Sequence, residues 1–363
     1  MIIIVGGGIA GLSLGWHLIK KGQEITVIEQ HHVGSGASAA ASAYLEPRLG
    51  SGAMRRLEWA AIKAWPEFVT EIEKASGIKI DFRSNGQLRP AFADSIEMVK
   101  NDAETRRAQG WNLQWLEGEK LHKLAPHLSP HIIAAAYLPD IHWLDGRLLC
   151  QALATAITNA GGTIIEGAKT ISIMGRTGQV TGIETRHGQF KATRIVLSAA
   201  MGTNEILNLP LEIPECRPVK GSIISLEMDS QSPLTSHLLR HPNGYVLTPR
   251  SDGRLLVGST HEDGETSTTV SADTQMQLKQ SAIDLLPDAA NLTIAEATSG
   301  IRALIGDGSL RLGTSKNLPG LYYSLSHAGA GYLRAPAIAR QFADFIIDPT
   351  SPCPLIDRFL HRG

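Results

Sequence analysis

Cysteine is scarce in this chain. Three residues among 363, Cys150, Cys216 and Cys353, stand too far apart for a disulfide framework or a cysteine-based metal site. A reducing cytoplasm is the expected setting, and the three read as ordinary thiols. Net charge is nearly absent, with Lys+Arg 34 against Asp+Glu 35. No basic tail or run stands out, which argues against nucleic acid as a partner. No apolar run approaches the roughly 20 residues that a membrane helix needs. The first strand begins at Ile2, so no signal or transit peptide is expected. Aromatic residues are few, at 5%, yet 43% of the chain is hydrophobic, enough to bury a large core, and two domains are expected.

What the chain does have is concentrated in its first thirty residues. Ile2 to Val5 is a β-branched apolar run, as in a buried parallel strand. Gly6-Gly7-Gly8-Ile9-Ala10-Gly11 follows with glycines at the G-x-G-x-x-G spacing. Leu12 to Lys21 reads as a helix ended by Gly22, and Glu24 to Ile28 as a second strand that ends on Glu29. Gly6 permits the tight turn, Gly8 lets a pyrophosphate approach, and Gly11 lets helix and strand pack. The helix N-terminus, at Ile9 and Ala10, offers N–H groups to the phosphates. Glu29 is placed for the adenosine ribose hydroxyls. The unit predicts a dinucleotide and leaves FAD or NAD(P) open.

Gly34 to Tyr44 is a run of small residues with hydroxyls interspersed. It reads either as a surface loop or as a helix opening close against the ligand, and its place directly after the nucleotide unit favours the second. Gly36 to Pro47 (GASAAASAYLEP) resembles the Gly-Ala-Ser-x-Ala-Ala-Ala-Gly-Met-Leu-Ala-Pro loop of FAD-dependent glycine oxidases, in the D-amino-acid-oxidase family. It departs at Ser42, Ala43, Tyr44 and Glu46. Trp65 to Ala91 and Ile141 to Asp145 resemble the same family.

The resemblance spans nearly the whole chain and implies the fold. This is an α/β protein with a Rossmann-like FAD-binding domain, interleaved with a substrate domain of antiparallel β-sheet plus helices. Residues 1–82, 143–212 and 296–363 are assigned to the first, and 83–142 and 213–295 to the second. The pattern reading adds helices over 55–76, 95–109, 117–124, 146–160, 272–286 and 335–347. It adds a meander over 168–191 and a hairpin of 244–250 with 254–260.

The resemblance also implies the site. Non-covalent FAD would lie along Gly36, Ala37, Ser38, Ala40, Ala41 and Ser42. Gln30, Lys169 and Thr170 join it, as do Ala199, Ala200 and Gly202 after the strand Arg194 to Ser198. The glycine turn Ala328-Gly329-Ala330-Gly331-Tyr332 reaches the isoalloxazine edge, and this argues for FAD over NAD(P). Arg302, in Gly300-Ile301-Arg302, touches cofactor and substrate and holds an amino-acid carboxylate through two parallel hydrogen bonds. Tyr245 is the assisting tyrosine of the hairpin; its alternative is a packed strand residue. Tyr44, Glu46 and His327 are pocket candidates, His327 as a positioning residue. His142 reads as a strand-end histidine rather than a base. No metal is expected.

The implied activity is oxidation of a small amine or amino acid, glycine first. The imine would yield glyoxylate and ammonia, or feed thiazole formation for thiamine, with dioxygen as acceptor. One alternative is a dehydrogenase of amines or D-amino acids, or an oxidase of a larger amine carried by a protein or tRNA. Another is a non-catalytic FAD-binding subunit of a complex. A homo-oligomer is left open.

Overall fold

In the computed structural model, which describes residues 1–176 and 178–362, the opening strand Ile2–Val5 is an inner strand, fifth in order, of a seven-stranded sheet. The order is Leu360–His361, Arg311–Thr314, Leu321–Leu325, Arg194–Leu197, Ile2–Val5, Ile25–Ile28, Thr163–Ile165. Ile3 pairs in parallel with Ile195 on one side and Thr26 on the other. Side chains alternate between two covered faces. Ile2 and Ile4 join the cluster under the helices Ile9–Lys20, Gly52–Ser76, Gly146–Asn159 and Gly331–Ile347. Ile3 and Val5 join a second cluster with Ile173 and Ile183 of the meander Thr170–Arg176, Gln179–Thr185 and Gly188–Lys191. Burial on both faces explains why the strand is apolar at every position.

The second large sheet is mostly antiparallel. Its central strand Arg217–Glu227 pairs with both Arg254–Gly258 and Ile294–Leu304, and the sheet continues through Val246–Pro249, Leu238–Arg240, Gln87–Ala91 and Ala134–Leu138 to Gln114–Glu117. One face carries Ile224, Leu226, Leu247 and Leu255 against Leu278, Ala282 and Leu285 of the helix Ala272–Leu285. On the other face Leu238 and Val246 pack with Trp143 and Tyr44. Three short strands, Tyr44–Leu45, His142–Leu144 and Phe82–Arg83, form a small sheet of their own, with Tyr44 opposite Trp143.

Several expectations change. The helix Gly331–Ile347 starts four residues earlier than the pattern suggested, directly on the glycine turn. Ile78 to Phe82 and Gly86 to Arg89 are strand-like in sequence about the turn Ser84-Asn85-Gly86, yet they do not pair with each other. Only Phe82–Arg83 is a strand, and Gln87–Ala91 belongs to the other sheet. The small-residue stretch 33–40 is a run of turns rather than a helix opening. The expected domain boundary at residue 296 falls inside Ile294–Leu304, a strand of the antiparallel sheet.

Candidate functional site

The opening unit forms a cradle. Gly6 adopts φ +111°, and a Cβ there would lie 2.4 Å from the Ser198 carbonyl oxygen. A Cβ on Gly11 would lie 2.0 Å from the Gly6 oxygen, so only glycine lets helix and turn meet. Gly8 caps the helix without a side chain, and no acid stands in the first turn. Ser38 Oγ accepts from the Ile9 N–H at 3.1 Å, so the small-residue loop reaches the same helix end. Glu29 accepts from the Gly7 N–H at 2.8 Å and the His31 N–H at 2.9 Å.

Beside Glu29 a pocket brings together Gly6, Gln30, Lys169, Thr170, Ala199 and Gly202. Lys169 is ion-paired with Glu205. The hydroxyls of Thr170 and Ser198 are buried with no hydrogen-bond partner among the described residues. A buried orphan hydroxyl is costly, and a ligand with ribose and base polar atoms satisfies it. Ser198 was not anticipated from the sequence. Ala200 sits at φ +50°, strained for a residue with a Cβ.

From there the loop runs on under three braces. Tyr332 donates its hydroxyl to the Ser38 carbonyl at 3.0 Å, Arg147 Nε donates to the Ala39 carbonyl at 3.3 Å, and Arg250 Nη2 to the Ser42 carbonyl at 2.7 Å. Tyr332 is therefore a buried support of the loop. A Cβ on Gly300 would lie 2.9 Å from Ala40 Cβ, so the strand that carries Arg302 crosses the loop in close contact. The turn that precedes Gly331–Ile347 closes the other side. Ala328 there has φ +49°, and its carbonyl accepts from Arg48 Nη2 at 2.7 Å.

Arg302 is held by neutral oxygens. Its Nη1 donates to the carbonyls of Lys220 and Thr260, both at 3.2 Å, and its Nη2 to Ser259 Oγ at 2.6 Å. These bonds use both Nη1 hydrogens and one on Nη2. The Nε–H and the second Nη2–H have no partner among the described residues. Burial draws the guanidinium pKa down and the Tyr44 phenol opposes this, but an arginine so placed stays charged. Glu46 and, after it, the Tyr44 phenol also hold the Arg240 guanidinium pKa up against burial.

Other expected pocket residues lie elsewhere. Tyr245 packs against the helix-covered cluster with Leu247, while its neighbour Val246 faces Tyr44. The period of two along a strand decides this: the pocket face receives Val246, and Tyr245 goes to the back. Tyr44 brings the phenol instead. His327 turns its Nε2 toward Ser324 Oγ at 3.1 Å, and burial, with Arg334 nearby, pushes its pKa down to about 4, so the ring is neutral. His142 packs on Phe82 in the small sheet, centroids 5.4 Å apart.

Glu46 is buried among guanidiniums. Arg89 and Arg106 hold one oxygen, and Gln87 holds the other at 3.0 Å with Arg240 at 3.4 Å. Burial alone would push its carboxyl pKa up. Arg89, Arg240 and Arg106 outweigh it and pull the value down to about 2. Glu46 is thus a fixed anion behind the pocket and not a base. Arg240, which the sequence did not single out, is its link to Tyr44.

This arrangement has relatives. The chain matches the DAO family, described as FAD dependent oxidoreductase, over residues 1–345. It is 27% identical over 350 residues to the glycine oxidase of Bacillus licheniformis, covering 95% of this chain and 92% of that one. It is 29% identical over 368 residues to the bifunctional protein ThiO/ThiG of Nostoc sp., covering 99% of this chain and 54% of that one, so it spans about half the length of that relative. The crystal structure of glycine oxidase from Geobacillus kaustophilus superposes with a TM-score of 0.89 at 25% identity, covering 100% of this chain and 99% of that one.

Proposed function

This chain belongs to the DAO family of FAD-dependent oxidoreductases, and we propose that it oxidises glycine or a closely related small amino acid at the α-carbon. The observation that carries the reading is the free edge of Arg302. Its Nε–H and Nη2–H are parallel donors, the pairing that a carboxylate accepts in a fork. The carbonyls of Lys220 and Thr260 and the Ser259 hydroxyl fix the plane of that fork. A substrate held by its carboxylate presents its α-carbon in a set direction, and such positioning supplies much of a rate enhancement.

The residues fit FAD. Glu29 would take the adenosine ribose, Thr170 and Ser198 the polar atoms beside it, the Ile9 helix end the pyrophosphate, and residues 36–42 with Ala328 to Gly331 the rest. FAD bound there would supply the acceptor for the α-carbon hydride, so that the substrate would become an imine hydrolysed to the oxo acid and ammonia, with the two electrons passed on to dioxygen as hydrogen peroxide. Tyr44 packs on Val246 with its phenol near the Arg240 guanidinium, where its proton serves to donate to a bound substrate. His327, neutral and turned to Ser324, positions the glycine turn.

Dioxygen as acceptor and a cytoplasmic setting belong to the same reading. The three cysteines are unpaired and buried, and no helix among the described residues is long and apolar enough to cross a membrane. The match to proteins named ThiO/ThiG supports a place in making the thiazole of thiamine. Peroxide release decides between oxidase and dehydrogenase. Under air, with glycine, sarcosine and D-alanine, one peroxide per amine consumed is expected. Turnover that needs an added quinone or dye would overturn oxygen as acceptor.

A further inference from the structure

A second guanidinium, that of Arg240, lies on the same sheet face as the head of Arg302. Arg240 ends the strand Leu238–Arg240, three strands away from the central strand that pairs with the Arg302 strand. Cross-strand register aligns Arg240 with Val246, Val246 with Gly258, and Gly258 with Ile223. These residues share one face of the sheet, the face on which Tyr44 packs against Val246. Arg302 enters from the opposite side. Its guanidinium passes over Gly221 and ends at Ser259, next to Gly258. Both guanidiniums therefore lie over the same face of the sheet, above a floor of glycine and valine, and the Tyr44 phenol is near enough to act on each.

The charges of this cluster do not balance. Glu46 and Asp102 are its carboxylates. Asp102 is shared by Arg89 at 2.9 Å and Arg106 at 2.8 Å, and Glu46 is also held by both. Arg240 approaches Glu46 only at 3.4 Å and keeps 28% of its side chain exposed, against 11% for Arg89 and 6% for Arg106. Two carboxylates thus face three guanidiniums, and the surplus lies on the one that reaches the pocket. Arg302, bonded only to neutral oxygens among the described residues, adds another. A single carboxylate on Arg302 leaves the second positive charge unmatched in a partly desolvated space.

We propose that the pocket is built for a short amino dicarboxylic acid, its α-carboxylate on Arg302 and its second carboxylate on Arg240 beside Tyr44. Glycine is then the truncated member of the class. The proposal rests on the reading of Arg302 as carboxylate anchor. It adds no step to the oxidation; it adds a binding contact remote from the reacting carbon, which lowers KM or raises kcat according to where the contact is realised.

Two isosteric pairs test it on the holoenzyme. Succinate and succinamate have no amine to oxidise, and their dissociation constants are read from the absorbance change of the bound flavin. D-aspartate and D-asparagine are compared by anaerobic flavin reduction. The expected result is at least a tenfold preference for the dicarboxylate in each pair. Arg240→Gln should reduce that preference to less than threefold, costing the dicarboxylates at least five times more than it costs glycine. Arg240→Lys should restore part of the preference. Glu46 keeps Arg89 and Arg106 in both variants, so the buried network remains paired. If glycine reduces the flavin but neither dicarboxylate is preferred over its amide, the second anion contact is overturned while the oxidase reading stands. If Arg240-dependent preference appears and glycine leaves the flavin oxidised, the contact stands and the glycine reading falls.

Discussion

The guanidinium of Arg302 occupies the space that a side chain on Gly221 would fill: a Cβ there would lie 2.3 Å from Nη2. The strand Arg217–Glu227 thus serves the pocket by what it omits. Gly221→Ala must push the arginine off its seat on Lys220, Thr260 and Ser259, because the clash is with the head of the side chain and the backbone is held in register with Gly300. We expect KM for glycine to rise at least tenfold, about 1.4 kcal/mol, with FAD content unchanged. Steady-state kinetics beside the flavin-to-protein absorbance ratio checks this.

Tyr44 and Tyr245 make a paired prediction. Tyr245→Phe keeps the ring in its helix-side cluster and should change kcat/KM by less than twofold. Tyr44→Phe removes the hydroxyl that lies near both Arg240 and Arg302, and should lower kcat/KM about 10- to 100-fold, in line with a lost charge-assisted hydrogen bond of about 1.5–3 kcal/mol. The reverse ranking would return the hairpin tyrosine to the active site.

That pair also shows where the sequence was readable. The opening strand, glycine turn and helix, and the acid at Glu29, are local signals, and each emerged in the fold within a few residues of its expected bounds. Arg302 stood out through its glycine neighbours. Tyr245 was misplaced because a strand's two faces differ by one residue, and the pattern Gly244-Tyr245-Val246 does not say which residue looks inward. Ile294–Leu304 was hard to read because its burial is mixed along its length, with no clean alternation. Arg240, Arg89, Arg106 and Glu46 are scattered over 195 positions of chain. Only the packing of two strands, a helix and the segment that follows Tyr44–Leu45 makes them a cluster, so a scan for motifs passes over them. Glu46 itself was noticed as a departure from the family loop, and the arginines around it explain why an acid is tolerated there.

Glu46 sets a pH limit. Its folded pKa, about 2, lies below its ordinary value, 4.5. A depressed carboxyl contributes stability that is complete above the unfolded value and is lost as pH falls from about 4.5 toward 2. Glu46→Gln should cost roughly 3–5 kcal/mol at pH 7, since it leaves buried guanidiniums without their anion. Much of that difference from wild type should vanish near pH 2.5. Urea unfolding of both proteins across this range measures it.

Thr170 offers a test of the cofactor cradle that does not depend on turnover. Its hydroxyl is buried and unpaired in the protein alone. Thr170→Val should leave the stability of the FAD-free protein equal or higher, because an orphan polar group is removed. FAD affinity should fall by about twofold to tenfold if the hydroxyl bonds the cofactor, a net contribution of about 0.5–1.5 kcal/mol. Titration of the apoprotein by flavin fluorescence, with a melting curve of each apoprotein, separates the two effects.

The central claim is that Arg302 and the flavin cradle together oxidise glycine. Anaerobic mixing of the holoenzyme with glycine tests it most directly, followed by absorbance near the main flavin band. The account predicts full bleaching that saturates with glycine concentration, and a loss of about 2–5 kcal/mol in apparent affinity for Arg302→Ala with its FAD still bound. A wild-type flavin that stays oxidised at saturating glycine, or an Arg302→Ala variant that bleaches as readily as the parent, would contradict it.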